Sequence, residues 1–221
     1  MSTNPATAFA REQMVSQQLR AWDVLDDGIL NLFRQLPRES FVPATYRDAA
    51  YGDMPVPLSE GQHMLRPSVA GRLVQALAVQ PGERVLEAGT GSGFLSACLA
   101  LQGAKVTTVE IRAALAEQAR ANLATAGIQG VDVRHADFFS MLDGGDRFDA
   151  IAVTGSLPRY DARIESLLKP EGRLFVVVGS GSVMEARLVT LDAAGLRSEQ
   201  SLFETVLDAL DHAPRNPSFR F

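Results

Sequence analysis

Apolar positions change their spacing part-way along the chain. In the first third, residues 11–22 predict one helix, and Leu25, Ile29, Leu30, Phe33 and Leu36 recur at a helical period behind a cap at Asp26 or Asp27, with Pro37 as the stop. Residues 41–67 carry Pro43, Pro55, Pro57 and Pro67 with Gly52 and Gly61, a density of breakers that predicts an extended, loop-rich stretch. Ordered loops of that length are disproportionately functional. Pro67 suits the first turn of a further helix, whose apolar face is Val69, Leu73, Val74 and Leu77 and which closes at Pro81-Gly82.

After Gly82 short apolar runs alternate with amphipathic stretches. Residues 84–87, 106–110, 131–134, 148–153 and 173–178 read as strands, while 94–101, 113–126 and, more weakly, 161–168 read as helices. Strands separated by helices pair in parallel through right-handed crossovers, which gives an α/β sheet covered on both faces. Beyond Gly179, residues 186–191 and 202–207 alternate like antiparallel edge strands. The expected object is a doubly wound, mostly parallel sheet with an antiparallel C-terminal edge. An N-terminal helical and loop cap is expected over residues 1–66, with the sheet domain over 67–221.

Composition narrows the function classes. A length of 221 residues fits one domain with appendages, and 46% hydrophobic against 21% charged residues is the balance of an ordinary globular chain. The formal net charge of -5 disfavours a nucleic-acid partner. One cysteine, Cys98, excludes an internal disulfide framework and a Cys-rich zinc site and suits a reducing compartment. Residues 1–10 lack the basic start and apolar run of a secretory signal, and no window approaches the roughly 20 apolar residues of a membrane span. The expectation is a cytoplasmic protein with no membrane partner. His135 and His212 lack neighbours at metal-ligand spacing, so no metal is expected.

The sharpest chemical signal is Val85-Leu86-Glu87-Ala88-Gly89-Thr90-Gly91-Ser92-Gly93, running from a predicted strand through three glycines into a predicted helix. Doubly wound sheets bind ligands at such a turn. A dinucleotide fingerprint needs glycine where this chain has Phe94, and no Gly-Lys-Ser/Thr of a P-loop follows. Glu87, two residues before the first glycine, faces a cationic ligand more comfortably than a pyrophosphate, which it would repel. Glu110 ends the next strand at the spacing where a carboxylate binds ribose hydroxyls, and Asp137 follows the third strand, where it could accept from an adenine amine.

With these features, residues 71–179 resemble the S-adenosylmethionine-dependent methyltransferases of Rossmann-like fold. The resemblance implies S-adenosylmethionine as cofactor. Glu87 and Gly89, Thr90, Gly91 and Gly93 would border its methionine part, Glu110 and Ile111 its ribose, and Asp137 its adenine, with Thr154 at the end of the fourth strand.

The N-terminal segment is similar to one family of that class. Arg11, Met14, Gln18 and Leu19, then Pro37-Arg38-Glu39-Ser40-Phe41-Val42-Pro43, Ala50-Tyr51-Gly52-Asp53-Met54-Pro55-Val56-Pro57, Gly61-Gln62 and Pro67 resemble the protein-L-isoaspartate O-methyltransferases in order and spacing. That implies methyl-esterification of a carboxylate in isoaspartyl peptides, a protein-repair role. Where the family carries Gly-Gln-Thr-Ile-Ser-Gln-Pro, this chain reads Gly61-Gln62-His63-Met64-Leu65-Arg66-Pro67, so the serine hydroxyl assigned an active-site role is missing. The family's Gly-Asp-Gly is here Ala136-Asp137-Phe138, and the tail from Asn216 is also unlike it.

A carboxylate with a pKa of about 4 is already ionised at neutral pH, so its methylation needs positioning and not a base. Arg66 could orient such a carboxylate, and His63 could serve as base for a phenol or amine. These two are the candidate catalytic residues. Alternatives stay open at this level: a small-molecule acceptor in place of a peptide, or a module that binds S-adenosylmethionine without catalysis. Enzymes that methylate amide or adenine nitrogens resemble one another in an Asn/Asp-Pro-Pro-Tyr run after the fourth strand, whereas this chain has Val153-Thr154-Gly155-Ser156-Leu157-Pro158, and Cys98 sits mid-helix as a core thiol, not a nucleophile.

Overall fold

The structure, a computed structural model, describes residues 5–215. The tail from Asn216 therefore lies outside the described residues. The cap begins with helix α1 (Pro5–Gln13), which starts earlier than the periodicity implies and continues without a break as a π-helical turn, Met14–Leu19, and a 3-10 turn, Arg20–Trp22. Helix α2 (Asp27–Gln35) starts where Asp26 accepts a hydrogen bond from the Ile29 amide. Of its predicted apolar stripe, Ile29, Leu30, Phe33 and Leu36 are buried, whereas Leu25 is 64% exposed and lies outside the core. The proline-rich stretch forms 3-10 turns and a two-strand ribbon, β1 (Val56–Pro57) against β2 (His63–Met64).

Helix α3 (Pro67–Leu77), with Pro67 in its first turn, leads into the sheet. In chain order follow β3 (Arg84–Ala88), α4 (Phe94–Leu101), β4 (Lys105–Glu110), α5 (Ala113–Thr125), β5 (Val131–His135), β6 (Phe148–Leu157), β7 (Leu168–Ser180), β8 (Val183–Leu191) and β9 (Arg197–Thr205). The sheet order is β5-β4-β3-β6-β7-β8-β9. The first five pair in parallel, and β8 and β9 add antiparallel, so the doubly wound sheet with an antiparallel edge stands as expected. The order reverses beside β3, and the crevice at the carboxyl ends of β3, β4 and β6 is where such folds take ligands.

Two elements differ from the periodicity. The helix expected over 161–168 is a single 3-10 stretch, Ala162–Leu167, because Asp161 caps it at the Arg163 amide and Leu168 already pairs with Phe148 as part of β7. The second edge strand is Arg197–Thr205 and not 202–207, since its first half is held by backbone pairing to β8 and carries polar, exposed side chains.

Alternate residues of each central strand enter opposite cores. Val85, Ala150, Ala152, Phe175 and Val177 join one that also contains Met14, Leu19, Phe33 and Phe41 of the cap. Leu86, Ile151, Val153, Leu174 and Val176 join the other. The cap thus shares a core with the sheet, which fixes its loops against the carboxyl ends of the strands.

Candidate functional site

A cavity of about 360 Å³ opens at those strand ends. The glycine loop supplies its floor through Gly89 and Gly91, β4 supplies Glu110 and Ile111, and Asp137 and Thr154 close two sides. His63, Leu65 and Arg66 reach it from the cap. A narrower recess of about 50 Å³, lined by Arg38, Glu87 and Thr90 among others, shares His63, Leu65, Gly89 and Thr154 with the larger space. The fold therefore brings every predicted site residue but Gly93 together at one place. Gly93 lines neither space: at φ 82° it turns the chain into α4, and a Cβ there would press on Leu123 at 3.3 Å.

Local chemistry explains the loop's shape. Gly89 has φ 91°, and a Cβ on it would lie 2.5 Å from the Thr154 hydroxyl oxygen. That hydroxyl sits 2.8 Å from the Ala88 carbonyl and 2.6 Å from the Gly89 carbonyl, tying the loop to β6. Thr90 and Thr108 share a hydroxyl hydrogen bond of 2.6 Å beneath it. Glu110 accepts from the Gly91 amide at 3.0 Å and from the Arg112 amide at 3.1 Å, which fixes its carboxylate at the rim with lone pairs to spare. Asp137 accepts from the Phe139 amide at 2.9 Å, and its other oxygen meets His212 Nδ1 at 2.7 Å. That contact raises the His212 pKa.

Glu87 is fully buried at the end of β3. The Ser96 hydroxyl donates to its Oε2, while Oε1 has no partner. Burial pushes its pKa up to about 7, against the opposing pull of the Ser96 and Thr108 hydroxyls. An unpartnered carboxylate oxygen in this position costs free energy until a donor, preferably a cation, reaches it. Cys98, buried in α4, has its thiol pKa raised by burial and is inert as a nucleophile.

One wall of the cavity was not legible beforehand. Residues 206–211 follow β9 back across the strand ends and line the cavity. The Ser156 amide donates to the Asp208 carbonyl at 2.8 Å and the Leu210 amide to the Ser156 carbonyl at 2.9 Å. Gly155 permits the approach, since a Cβ there would be 3.0 Å from the Leu210 nitrogen. Three side-chain contacts fasten the segment and the residue after it: His63 to Asp208 at 3.0 Å, Arg112 to Asp211 at 2.9 Å, and Asp137 to His212. The acids and histidine in Asp208-Ala209-Leu210-Asp211-His212 were the available signal, but only tertiary contact gives them partners. Arg66 is held otherwise, its guanidinium 5.7 Å from the centre of the Trp22 ring.

Comparison with known proteins identifies the family. The sequence model of the Protein-L-isoaspartate(D-aspartate) O-methyltransferase (PCMT) family matches residues 10–207. The chain belongs to that family. Protein-L-isoaspartate O-methyltransferase 1 of Rhodopseudomonas palustris (strain HaA2) is 40% identical over 202 residues, covering 90% of this chain and 82% of the relative. The protein-L-isoaspartate O-methyltransferase of Methylorubrum extorquens (strain PA1) is 41% identical over 175 residues, covering 79% and 76%. A crystal structure from Plasmodium falciparum, described as a candidate beta-aspartate methyltransferase in complex with S-adenosyl-L-homocysteine, shares the fold with a TM-score of 0.77 at 20% identity, covering 91% of this chain and 98% of that one.

The chain is thus an S-adenosylmethionine-dependent methyltransferase with the Rossmann-like architecture read from its sequence. Its residues fit the cofactor. The orphaned Glu87 oxygen asks for a cation, and two carboxylates, Glu110 and Asp137, line the cavity at successive strand ends.

Proposed function

We propose that this enzyme methyl-esterifies the carboxylate of isoaspartyl residues in peptides. S-adenosylmethionine supplies an electrophilic methyl group on a positively charged sulfur. In this reading Glu87 receives the ammonium end of the donor, Glu110 accepts from ribose hydroxyls beside Ile111, and Asp137 accepts from the adenine amine. Gly89, Thr90, Gly91 and Gly93 shape the loop, and Thr154 holds it.

The observation that carries the proposal is the lining of the cavity, where Arg66, Leu65 and His63 join Gly89 and Gly91 of the glycine loop. An ionised carboxylate needs a partner to orient it and water excluded around it, and no base. Arg66 supplies a charge-assisted donor where the family serine hydroxyl is absent, and Leu65 supplies the apolar surface.

A second reading has its own observation. His63 is oriented by Asp208 at 3.0 Å, the arrangement of an imidazole base backed by a carboxylate, which suits a neutral hydroxyl acceptor such as a small phenol. Offering an isoaspartyl peptide and a phenolic acceptor with methyl-labelled donor separates the two. A base-labile methyl ester that releases methanol supports the first, and a base-stable methyl ether supports the second.

Among the described residues no helix is long and apolar enough to cross a membrane. The free Cys98 thiol supports placing the enzyme in a reducing compartment, the cytoplasm.

A further inference from the structure

Arg38 lies in the 3-10 turn Arg38–Ser40 of the cap and is fully buried. Its Nε donates to the Ala50 carbonyl at 2.8 Å, its Nη2 to the Leu65 carbonyl at 2.6 Å, and its Cζ stands 4.9 Å from the centre of the Phe94 ring. Nη1 is buried with no acceptor. Burial draws its pKa down to about 10. The structural duties of Nε and Nη2 leave this third group unexplained, and a buried charged donor without an acceptor is costly.

Glu87 presents the opposite defect in the same recess: a fully buried carboxylate with Oε1 unpartnered. The two orphans do not satisfy each other. A recess of about 50 Å³ lined by both a cation and an anion, and sharing Leu65 and Gly89 with the donor cavity, matches a small zwitterion attached to a larger body. An ammonium and a carboxylate on one carbon answer both groups.

We infer that Arg38 is a donor-binding residue that takes the α-carboxylate of the amino-acid end of S-adenosylmethionine through Nη1, opposite Glu87. This rests on the donor reading above and adds a residue from the cap to it. The cap then does more than face the acceptor. Because Nη2 of the same guanidinium holds the Leu65 carbonyl, donor loading and the position of the acceptor loop share one side chain.

Titration calorimetry on the full chain tests this with two ligands: S-adenosylhomocysteine and its decarboxylated counterpart, which keeps the ammonium, ribose and adenine. The unaltered enzyme is expected to bind the first about 10- to 100-fold more tightly. Arg38→Met is expected to erase that preference by weakening the first ligand alone, with the second unchanged within about threefold, and Arg38→Lys to keep part of it. Binding of the decarboxylated ligand reports that a variant is folded, and the comparison on the unaltered enzyme needs no variant. Equal affinity of the unaltered enzyme for both ligands, or equal weakening of both by Arg38→Met, overturns the inference while leaving the donor reading intact. Failure of the unaltered enzyme to bind either ligand removes the donor reading itself.

Discussion

His63 Nδ1 and Asp208 Oδ2 lie 3.0 Å apart and join the cap's ribbon to the segment that follows the last strand, across the rim of the cavity. The pair fixes the imidazole where an acceptor must pass. If the acceptor is a carboxylate, His63 has no proton to remove, and His63→Ala is expected to lower kcat/KM less than about tenfold. A base for a hydroxyl would be missed by about 10²- to 10⁴-fold. Steady-state kinetics with an isoaspartyl peptide checks this, and Asp208→Ala should act in the same direction as His63→Ala and no further.

Leu65→Ser restores a hydroxyl at the family position. It is expected to alter the kinetics of the peptide acceptor, raising kcat/KM by up to about tenfold, while S-adenosylhomocysteine affinity stays within about twofold. One aligned donor is typically worth about 10²-fold or more in rate, so a gain of that size would mean that Arg66 contributes little to orientation. Paired kinetic and calorimetric measurements read both effects.

Burial lifts the Glu87 carboxyl from 4.5 to about 7. The unfolded chain ionises this group near 4.5, while the donor-free folded enzyme holds the proton until about 7. Glu87 therefore destabilises the fold progressively as pH rises from about 4.5 to about 7, by about 3 kcal/mol in total, and no further above that window. The thermal midpoint of Glu87→Gln should gain on that of the unaltered enzyme across that pH range. An ammonium group brought against the buried carboxylate reverses the shift, so binding S-adenosylhomocysteine near pH 7 should release up to about half a proton per site. Calorimetry in buffers of different ionisation enthalpy measures this directly.

Gly89→Ala places a Cβ at 2.5 Å from the Thr154 hydroxyl oxygen, on a backbone with φ 91°. The expected outcome is a loss of about 1–3 kcal/mol in stability and at least about a tenfold loss in donor affinity, read by denaturant unfolding and calorimetry. Thr154→Ala in the same background should recover part of the stability by removing the clashing atom.

Local pattern carried much of this structure because its information is local. The turn from β3 through the glycines into α4 is written in consecutive residues, and the predicted helix 94–101 coincides with Phe94–Leu101. Glu110 and Asp137 were found because strand ends in a parallel sheet fall at regular intervals. The strand β6 runs on to Leu157, past its apolar core, because Ser156 and Leu157 pair with Val177 and Val178, a contact with no local signature. The closing segment and Arg38 escaped for the same reason. A buried arginine looks like any surface arginine until the carbonyls of Ala50 and Leu65 are folded around it.

The central claim is that this cavity transfers a methyl group to an isoaspartyl carboxylate. Incubation of the enzyme with methyl-labelled S-adenosylmethionine and an isoaspartyl peptide, beside its aspartyl twin of the same sequence, tests it most directly. The account predicts base-labile label on the isoaspartyl peptide and none on the twin. An enzyme that binds S-adenosylhomocysteine yet leaves the isoaspartyl peptide unlabelled, or labels both peptides alike, would contradict it.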